Sequence, residues 1–408
     1  MNNNKTIGLL SIPVLVAALG YFVDIYDLLL FGMIRKVSLQ SIGITGDAAI
    51  NAGLNVMSVQ MYGLLIGGIL WGIMGDKKGR LSVLFGSIIL YSVANIANGF
   101  VHTLSQYEVC RFIAGIGLAG ELGAGITLVS ELIPKEKRGI ATSMVAGIGL
   151  TGAVVAYFIS QSFDWRICYF IGGGLGFLLL LLRVRVFESG MFHNIKKDAA
   201  IQKGNFLMFF TNRKRFKKYI LAIAIGLPTW YVIGILIQNS DKFGKEFGIK
   251  EDIIAGKAVM FAYVAISVAD LLIGLLSQVL KSRKKALYIF YAITIIGIVL
   301  YFNLYNSTAA NMYFVCALMG FGTGFWALFV TMAAEHFGTN LRATAATTVP
   351  NMVRGSLPLI IILFKSLTPG YGIISAGAIT GGIVMIISTI AVFMTEETFG
   401  KDLNFLEE

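Results

Sequence analysis

Charge is what this sequence lacks. Of its 408 residues only 13% are Asp, Glu, Lys or Arg, about half the roughly 25% of a soluble domain, so an ordinary water-facing surface cannot be built from it. Proline is scarce as well, with six residues in all, which excludes proline-rich stalks and linkers. The three cysteines, Cys110, Cys168 and Cys316, lie inside apolar runs. They have no metal-ligand spacing and form no even-numbered set, so they are expected to be small packing residues; no metal and no cofactor is expected. The three histidines, His102, His193 and His336, fall between apolar runs and read as surface residues.

What is present is apolar sequence in long runs, 56% hydrophobic overall with 47 glycines. A membrane span needs about 20 mostly apolar residues. Twelve segments qualify: 8–34, 54–74, 81–101, 106–133, 140–162, 166–187, 217–239, 255–280, 286–304, 310–335, 342–366 and 371–395. The first contains two aspartates and is longer than a signal-peptide core, so it is expected to be retained as a span. The polar, basic stretch 188–216 falls midway. It divides the chain into an N-terminal six-helix bundle, 1–187, and a C-terminal one, 217–408, which makes the expected fold an all-α membrane protein.

The net charge of +11 does not point to nucleic acid, because the basic residues cluster in short loops between spans. With the N-terminus inside, 23 Lys and Arg lie on the inner side, eight on the outer and two, Arg111 and Arg354, within spans. By the positive-inside rule both termini are expected to be cytoplasmic. An internal repeat is also visible. Glu131 and Arg138 flank the loop after span four as Glu335 and Arg342 flank the loop after span ten, and Gly115-x-Gly117 recurs as Gly320-x-Gly322. Half a chain separates the copies, so the halves are expected to be related by an axis along the membrane normal. Two Gly-x-Gly-x-x-Gly matches, 115–120 and 147–152, sit inside spans and follow no strand; they are read as close helix packing, not as dinucleotide sites.

The loop after span two reads Gly72-Ile-Met-Gly75-Asp76-Lys77-Lys78-Gly79-Arg80. It places an acid at a helix end beside a tight glycine turn with basic groups in reach, a clasp that two rocking bodies can release. This resembles the signature loop of the major facilitator superfamily, with Leu81 standing where that family usually has another basic residue. The span-four segment Arg111 to Glu121, the loop Glu131 to Gly139, and the tail Glu396-Glu397-Thr398-Phe399-Gly400-Lys401 are similar to the metabolite–proton symporter and sugar-porter branches. Asp24-Ile25-Tyr26-Asp27 resembles the paired-Asp element of aromatic-acid symporters, and a phagosomal nutrient transporter subgroup is a further resemblance. These imply a multi-pass, monomeric carrier in a bacterial inner membrane that takes up a small polar metabolite, an amino acid or organic acid, by alternating access with protons. Gly72, Asp76, Gly79, Arg80, Glu131, Arg138, Glu335 and Arg342 would form its gating loops. A uniporter or antiporter of the same fold and a non-transporting sensor are the alternatives. The tail after residue 395 is short for a signalling extension. A membrane-embedded transferase would need a catalytic domain or a His or Ser constellation, and the loops offer neither.

Six ionisable residues fall well inside spans: Asp24, Asp27, Arg111, Glu121, Asp270 and Arg354. Each costs about 2.5–3.5 kcal/mol at a helix centre, so they must pair or line a polar cavity. The resemblance implies that Asp27 binds the proton and Arg111 holds it, with Asp24 and Glu121 close enough to share; the alternative is a static ion pair between spans one and four. Arg354, with Asn351 one turn earlier, is the natural clamp for a carboxylate, unless it pairs with Asp270 or a backbone carbonyl. Glu121 is also placed to contact substrate. Trp230, Tyr231, Phe325 and Trp326 are candidates for the cavity wall, although packing roles suit them as well. Trp165 and Arg166 read as membrane-interface anchors.

Overall fold

A computed structural model of the chain describes residues 11–133, 135–188, 205–338, 340–401 and 407. Most of the 188–216 linker, residues 189–204, lies outside the described residues, as does His193. Among the described residues there are helices and no strand, as the bilayer demands, since a helix satisfies its own backbone where no water is available.

The N-terminal half contains α1 (Ile12–Ser41), α2 (Gly46–Lys78), α3 (Arg80–Asn98), α4 (Leu104–Leu118), α5 (Glu121–Leu132), α6 (Lys135–Leu150), α7 (Gly152–Ser162) and α8 (Trp165–Glu188). After a short α9 (Met208–Thr211), the second half contains α10 (Arg213–Tyr231), a π turn at Val232–Ile237, α11 (Ser240–Glu246), α12 (Ala255–Val279), α13 (Arg283–Tyr301), α14 (Ala309–Gly322), α15 (Trp326–Glu335), α16 (Arg342–Gly355) and α17 (Leu357–Met394). Several spans are pairs of these: α4 with α5, α6 with α7, α10 with the π turn, and α14 with α15. The 38 residues of α17 would measure about 57 Å as one rod, twice a bilayer core. The helix breaks at Gly372, whose φ of 73° lies in the left-handed region that only glycine enters freely. Its first part completes the span begun by α16, and the rest is span twelve. Polar caps close several ends: Thr103 with Gln106 on α4, Asn212 on α10, Ser282 on α13 and Thr308 on α14.

The repeat holds in three dimensions. Span four breaks between Leu118 and Glu121, and span ten between Gly322 and Trp326; span five breaks after Leu150, and span eleven after Gly355. Both pairs of breaks match at the sequence offset of the repeat. The glycine pairs pack alike. A Cβ on Gly115 would strike the Gln60 carbonyl of α2, and one on Gly320 the Ala262 carbonyl of α12, the equivalent helix. Gly117 and Gly322 abut α3 and α13 in the same way, at Tyr91 and Thr294. The Gly-x-Gly elements are therefore backbone contacts between spans.

Some readings change, α2 for instance running from Gly46 to Lys78 beyond the expected 54–74. α1 ends at Ser41 instead of 34, so Arg35 and Lys36 belong to a helix, not to an outer loop. Trp165 is buried, stacked on Tyr107 with ring centroids 5.8 Å apart, and it carries the Arg166 guanidinium over its face. Arg166 also donates to the carbonyls of Gly99 and Val101. The pair ties α8 to the end of α3 and does not act as an interface anchor.

Candidate functional site

Among the described residues, three buried ion pairs organise the membrane interior. In the first, Arg111 on α4 meets Asp27 on α1 at 3.2 Å, both at 0% exposure. The guanidinium also donates to Asn95 Oδ1 at 2.5 Å. Asn98, with its amide oxygen turned toward α4, accepts from Nε at 2.7 Å and Nη2 at 2.9 Å. Tyr169 lies under the guanidinium, 4.8 Å from it, and shares a hydrogen bond with Tyr107, which in turn reaches Ser38. The expected partners thus meet, inside the N-terminal half and with every side of Arg111 occupied.

The second pair was not foreseen. Arg183 of α8, counted from sequence among the basic residues around the linker, is fully buried and grips Glu121 with Nη2 to Oε2 at 2.6 Å and Nη1 to Oε1 at 3.0 Å. Ser87 donates to the same carboxylate, and Arg183 also donates to the Leu84 carbonyl. Gly20 of α1 makes room, since a Cβ there would lie 2.3 Å from Arg183 Nη2 and 2.6 Å from Glu121 Oε2. The buried ionisable set therefore has a seventh member, and Glu121 is held by a cation of its own bundle instead of facing a cavity.

The third pair crosses between the halves. Arg354, in the last turn of α16, directs Nη2 at Asp24 Oδ2 of α1, 3.4 Å away. Its Nη1 donates to Asn351 Oδ1, and Asn351 Nδ2 donates to the Ala119 carbonyl of the first half and to Thr347 of its own helix. Asn351 is thus a bridge between the halves. Arg354 does not pair with Asp270, whose Oδ1 accepts the Ala327 N–H and so caps the N-terminus of α15, where a carboxylate is favoured.

Beside this pair lies a narrow cavity, with room for about one water molecule, lined by Tyr21, Ile25, Leu150, Thr229, Trp230, Ile233, Tyr263, Ile266, Thr323, Trp326 and Arg354. Every lining residue is buried, so it is closed to both sides. Local backbone features aim its walls. Thr229 and Trp230 sit between Pro228, which lacks an N–H, and the π turn that holds Ile233. Thr323 and Trp326 flank the break between α14 and α15. Trp326 also lies under Arg354, its ring centroid 5.7 Å from the guanidinium. Of the aromatic candidates, Trp230 and Trp326 reach the cavity. Tyr231 instead donates to the Gly377 carbonyl, and Phe325 packs on Tyr291. Four cavity residues carry a buried polar atom with no hydrogen-bond partner: Thr229 Oγ1, Trp230 Nε1, Trp326 Nε1 and Arg354 Nε; Asp24 Oδ1 is equally unpartnered.

The two ends of the cavity are shut by contacts between halves. Toward the termini, Thr344 donates to the Gly72 carbonyl, and Gly123 lies against Thr347 closely enough that a Cβ would strike it. On the opposite side Gly32 of α1 lies against the Gln238 carboxamide, and Gly256 of α12 against Met33 and Tyr157. Of the gating-loop candidates, Gly79 ends α2 with φ 92°, again a conformation suited to glycine. The side chains of Asp76, Arg80, Glu131 and Arg138 lie outside the described residues. Glu335 bonds Arg283 at 3.1 Å and accepts from Thr398, so its clasp is to α13 and the C-terminal tail. That tail closes a network that sequence did not show: Glu397 accepts from the Ser282 hydroxyl and from the N–H groups of Arg283 and Lys284, capping α13. Next to it His336 is buried at 2% exposure with both ring nitrogens unpartnered, contrary to the surface reading; His102 is exposed as expected.

The family model described as Major Facilitator Superfamily matches residues 17–361. The niacin transporter NiaP of Acinetobacter baylyi is 25% identical over 85% of this chain and 86% of its own. The gentisate transporter of Corynebacterium glutamicum is 25% identical over 84% and 79%. Among solved structures, that of the proton:xylose symporter XylE bound to 6-bromo-6-deoxy-D-glucose superposes with a TM-score of 0.74 over 98% of both chains at 16% identity, a likeness of fold.

Proposed function

Because this chain belongs to the major facilitator superfamily and is a multi-pass membrane transporter, not an enzyme, we propose that it carries a small, flat organic carboxylate by alternating access, together with a proton taken by Asp24. The observation that carries the reading is that four residues lining one buried cavity each keep a buried polar atom without a partner: Thr229 Oγ1, Trp230 Nε1, Trp326 Nε1 and Arg354 Nε. The indole and guanidinium nitrogens only donate, and each buried donor left unpaired costs about 1–3 kcal/mol. A guest that recovers this must bring acceptors, and Arg354 favours a carboxylate. Ile25, Leu150, Ile233 and Ile266 with Tyr21 and Tyr263 suit an apolar, planar body. Niacin and gentisate, named for the two relatives, are both aromatic carboxylates, which supports an organic acid over an amino acid.

Charge balance supplies the coupling. Empty, the site holds Arg354 as a cation and Asp24 as an anion, with no net charge. A substrate carboxylate that takes Arg354 leaves Asp24 buried without its cation, and a buried carboxyl without a partner neutralises itself. With one proton on Asp24 the loaded site is neutral again. The half-loaded site, with two carboxylates on one arginine, carries a net negative charge through the bilayer and is disfavoured. The moving bodies are the halves 1–187 and 217–408, joined through 188–216, with both termini on the cytoplasmic side of a cell membrane and the gating loops as clasps. In this reading Asp27–Arg111 braces the N-terminal bundle beneath Asp24, and Glu121–Arg183 braces it on the other flank of α1.

The test is uptake of radiolabelled nicotinate and benzoate into proteoliposomes with an imposed pH gradient, inside alkaline. Accumulation that collapses with the gradient is expected. Uptake of both acids at the rate of protein-free vesicles would overturn the carboxylate reading, and accumulation indifferent to the gradient would remove the proton.

A further inference from the structure

On the face of the molecule opposite the termini, three cations converge where the halves meet. Arg35 lies on α1, one turn beyond Gly32, and Gly32 touches Gln238 at the end of the π turn. Lys242 follows four residues after Gln238 on α11. Lys365 on α17 is brought alongside by the packing of Phe243 on Phe364, whose ring centroids are 6.2 Å apart. Two acids stand near them: Asp241, with Oδ1 buried and unpartnered, and Glu108, which lines a surface cleft together with Lys365. Among the described residues none of the three cations forms an ion pair. The crowding is felt at Lys242, where burial first and then the charges of Arg35 and Lys365 hold the ammonium below its usual value against the pull of Asp241.

Arg35 and Lys242 are half-buried and Lys365 is exposed; like charges gathered in this way repel one another, and an arriving anion relieves them. The cluster is also shared between halves, since Arg35 belongs to one and both lysines to the other. A carboxylate bridging them would be released inward as the mouth changes shape. We propose that Arg35, Lys242 and Lys365 form a docking site for small organic carboxylates at the mouth opposite the termini, separate from the cavity beside Arg354. This rests on the reading of the protein as a carboxylate carrier. Its role is to concentrate anions at the mouth, as charged clefts of one sign do, and it selects charge without reading the rest of the molecule.

The experiment follows acylation of Lys242 and Lys365 by an amine-reactive ester, read by peptide mass spectrometry on the full-length protein in detergent at low ionic strength. Benzoate is the probe and benzamide its neutral counterpart. The wild type is compared with Arg354→Gln, which removes the central clamp. Slower acylation of both lysines with benzoate, but not benzamide, in both proteins is the expected result. No protection in either protein overturns the docking site. Protection that disappears in Arg354→Gln overturns it equally, because the shielding then comes from closure around a centrally bound ligand. The central reading is judged separately, by whether Arg354→Gln still takes up benzoate in vesicles. Lys242→Gln with Lys365→Gln should raise the KM for benzoate about tenfold at low salt with the maximal rate unchanged, and should flatten its dependence on salt. An unchanged KM overturns the proposal.

Discussion

Asp24 and Arg354, 330 residues apart, form an ion pair across the two halves of the molecule, with 3.4 Å between Oδ2 and Nη2. Each keeps one unpartnered buried atom, Oδ1 on the acid and Nε on the base. An ion pair finished on neither side is suited to being broken and remade, unlike Arg111, whose guanidinium is enclosed by Asp27, Asn95, Asn98 and Tyr169. This contrast sets the first two predictions.

Asp24→Asn should abolish accumulation of carboxylate against its gradient while leaving counterflow exchange measurable, because the site stays neutral when loaded without a proton. Arg354→Gln should lose both, by about 100-fold or more in uptake, since it removes the fork and strands Asp24; losses of about 2–5 kcal/mol are usual when one member of a buried charge pair goes. Paired uptake and exchange assays in proteoliposomes separate the two outcomes.

Asp27→Asn should act first on stability. Removing one partner of a buried pair costs about 3–5 kcal/mol, so thermal unfolding in detergent should occur well below the wild type. The double replacement of Asp27 by Leu and Arg111 by Met should recover part of the loss. A variant of unchanged melting temperature that loses only uphill transport would instead return the proton to Asp27.

Gly20→Ala tests the pair that sequence missed. Its Cβ would fall within 2.3 Å of Arg183 Nη2, and overpacking of this kind costs about 1–3 kcal/mol. The melting temperature should drop, and Glu121→Gln should not restore it, because the clash is steric.

Acid should loosen the face that carries the termini. The His336 imidazole, held to about 4 by burial and by the charges of Lys401 and Lys218, stays neutral in the fold while an unfolded histidine gains its proton near 6.5. Stability is therefore lost as pH falls from about 6.5 to 4. Glu397 contributes with the same sign. Burial raises its carboxyl, but the Ser282 hydroxyl and the N–H groups of Phe399, Arg283 and Lys284 outweigh that and hold it below its ordinary value, so its contribution too is lost on acidification. Melting curves across this range should show the decline, with His336→Gln flattening the upper part.

Sequence alone reached the twelve spans, the repeat, the Asp27–Arg111 contact and three residues of the cavity, Arg354, Trp230 and Trp326. All follow from patterns with one physical meaning: length against bilayer thickness, and charge or bulk at a depth where neither is free. Arg183 escaped because it stands next to a run of basic linker residues, and a count of positive charges cannot tell the inner face of a helix end from the loop beyond it. His336 and Glu397 escaped because their surroundings depend on the tail folding back onto α13, a contact between segments more than 100 residues apart. Asp24 was foreseen as part of the site but not its partner, since depth along two spans in different halves does not fix which faces meet.

The matched interruptions in spans four, five, ten and eleven have a mechanical meaning. An unbroken rod swings both its ends at once, so opening one vestibule by tilting it would force the far one to move in step. A strut jointed near its middle lets the upper and lower segments turn separately. In the alternating-access cycle we propose, four such joints around one chamber let a door on either face be worked while the opposite door stays latched, and a bound molecule be sealed in before it is let go.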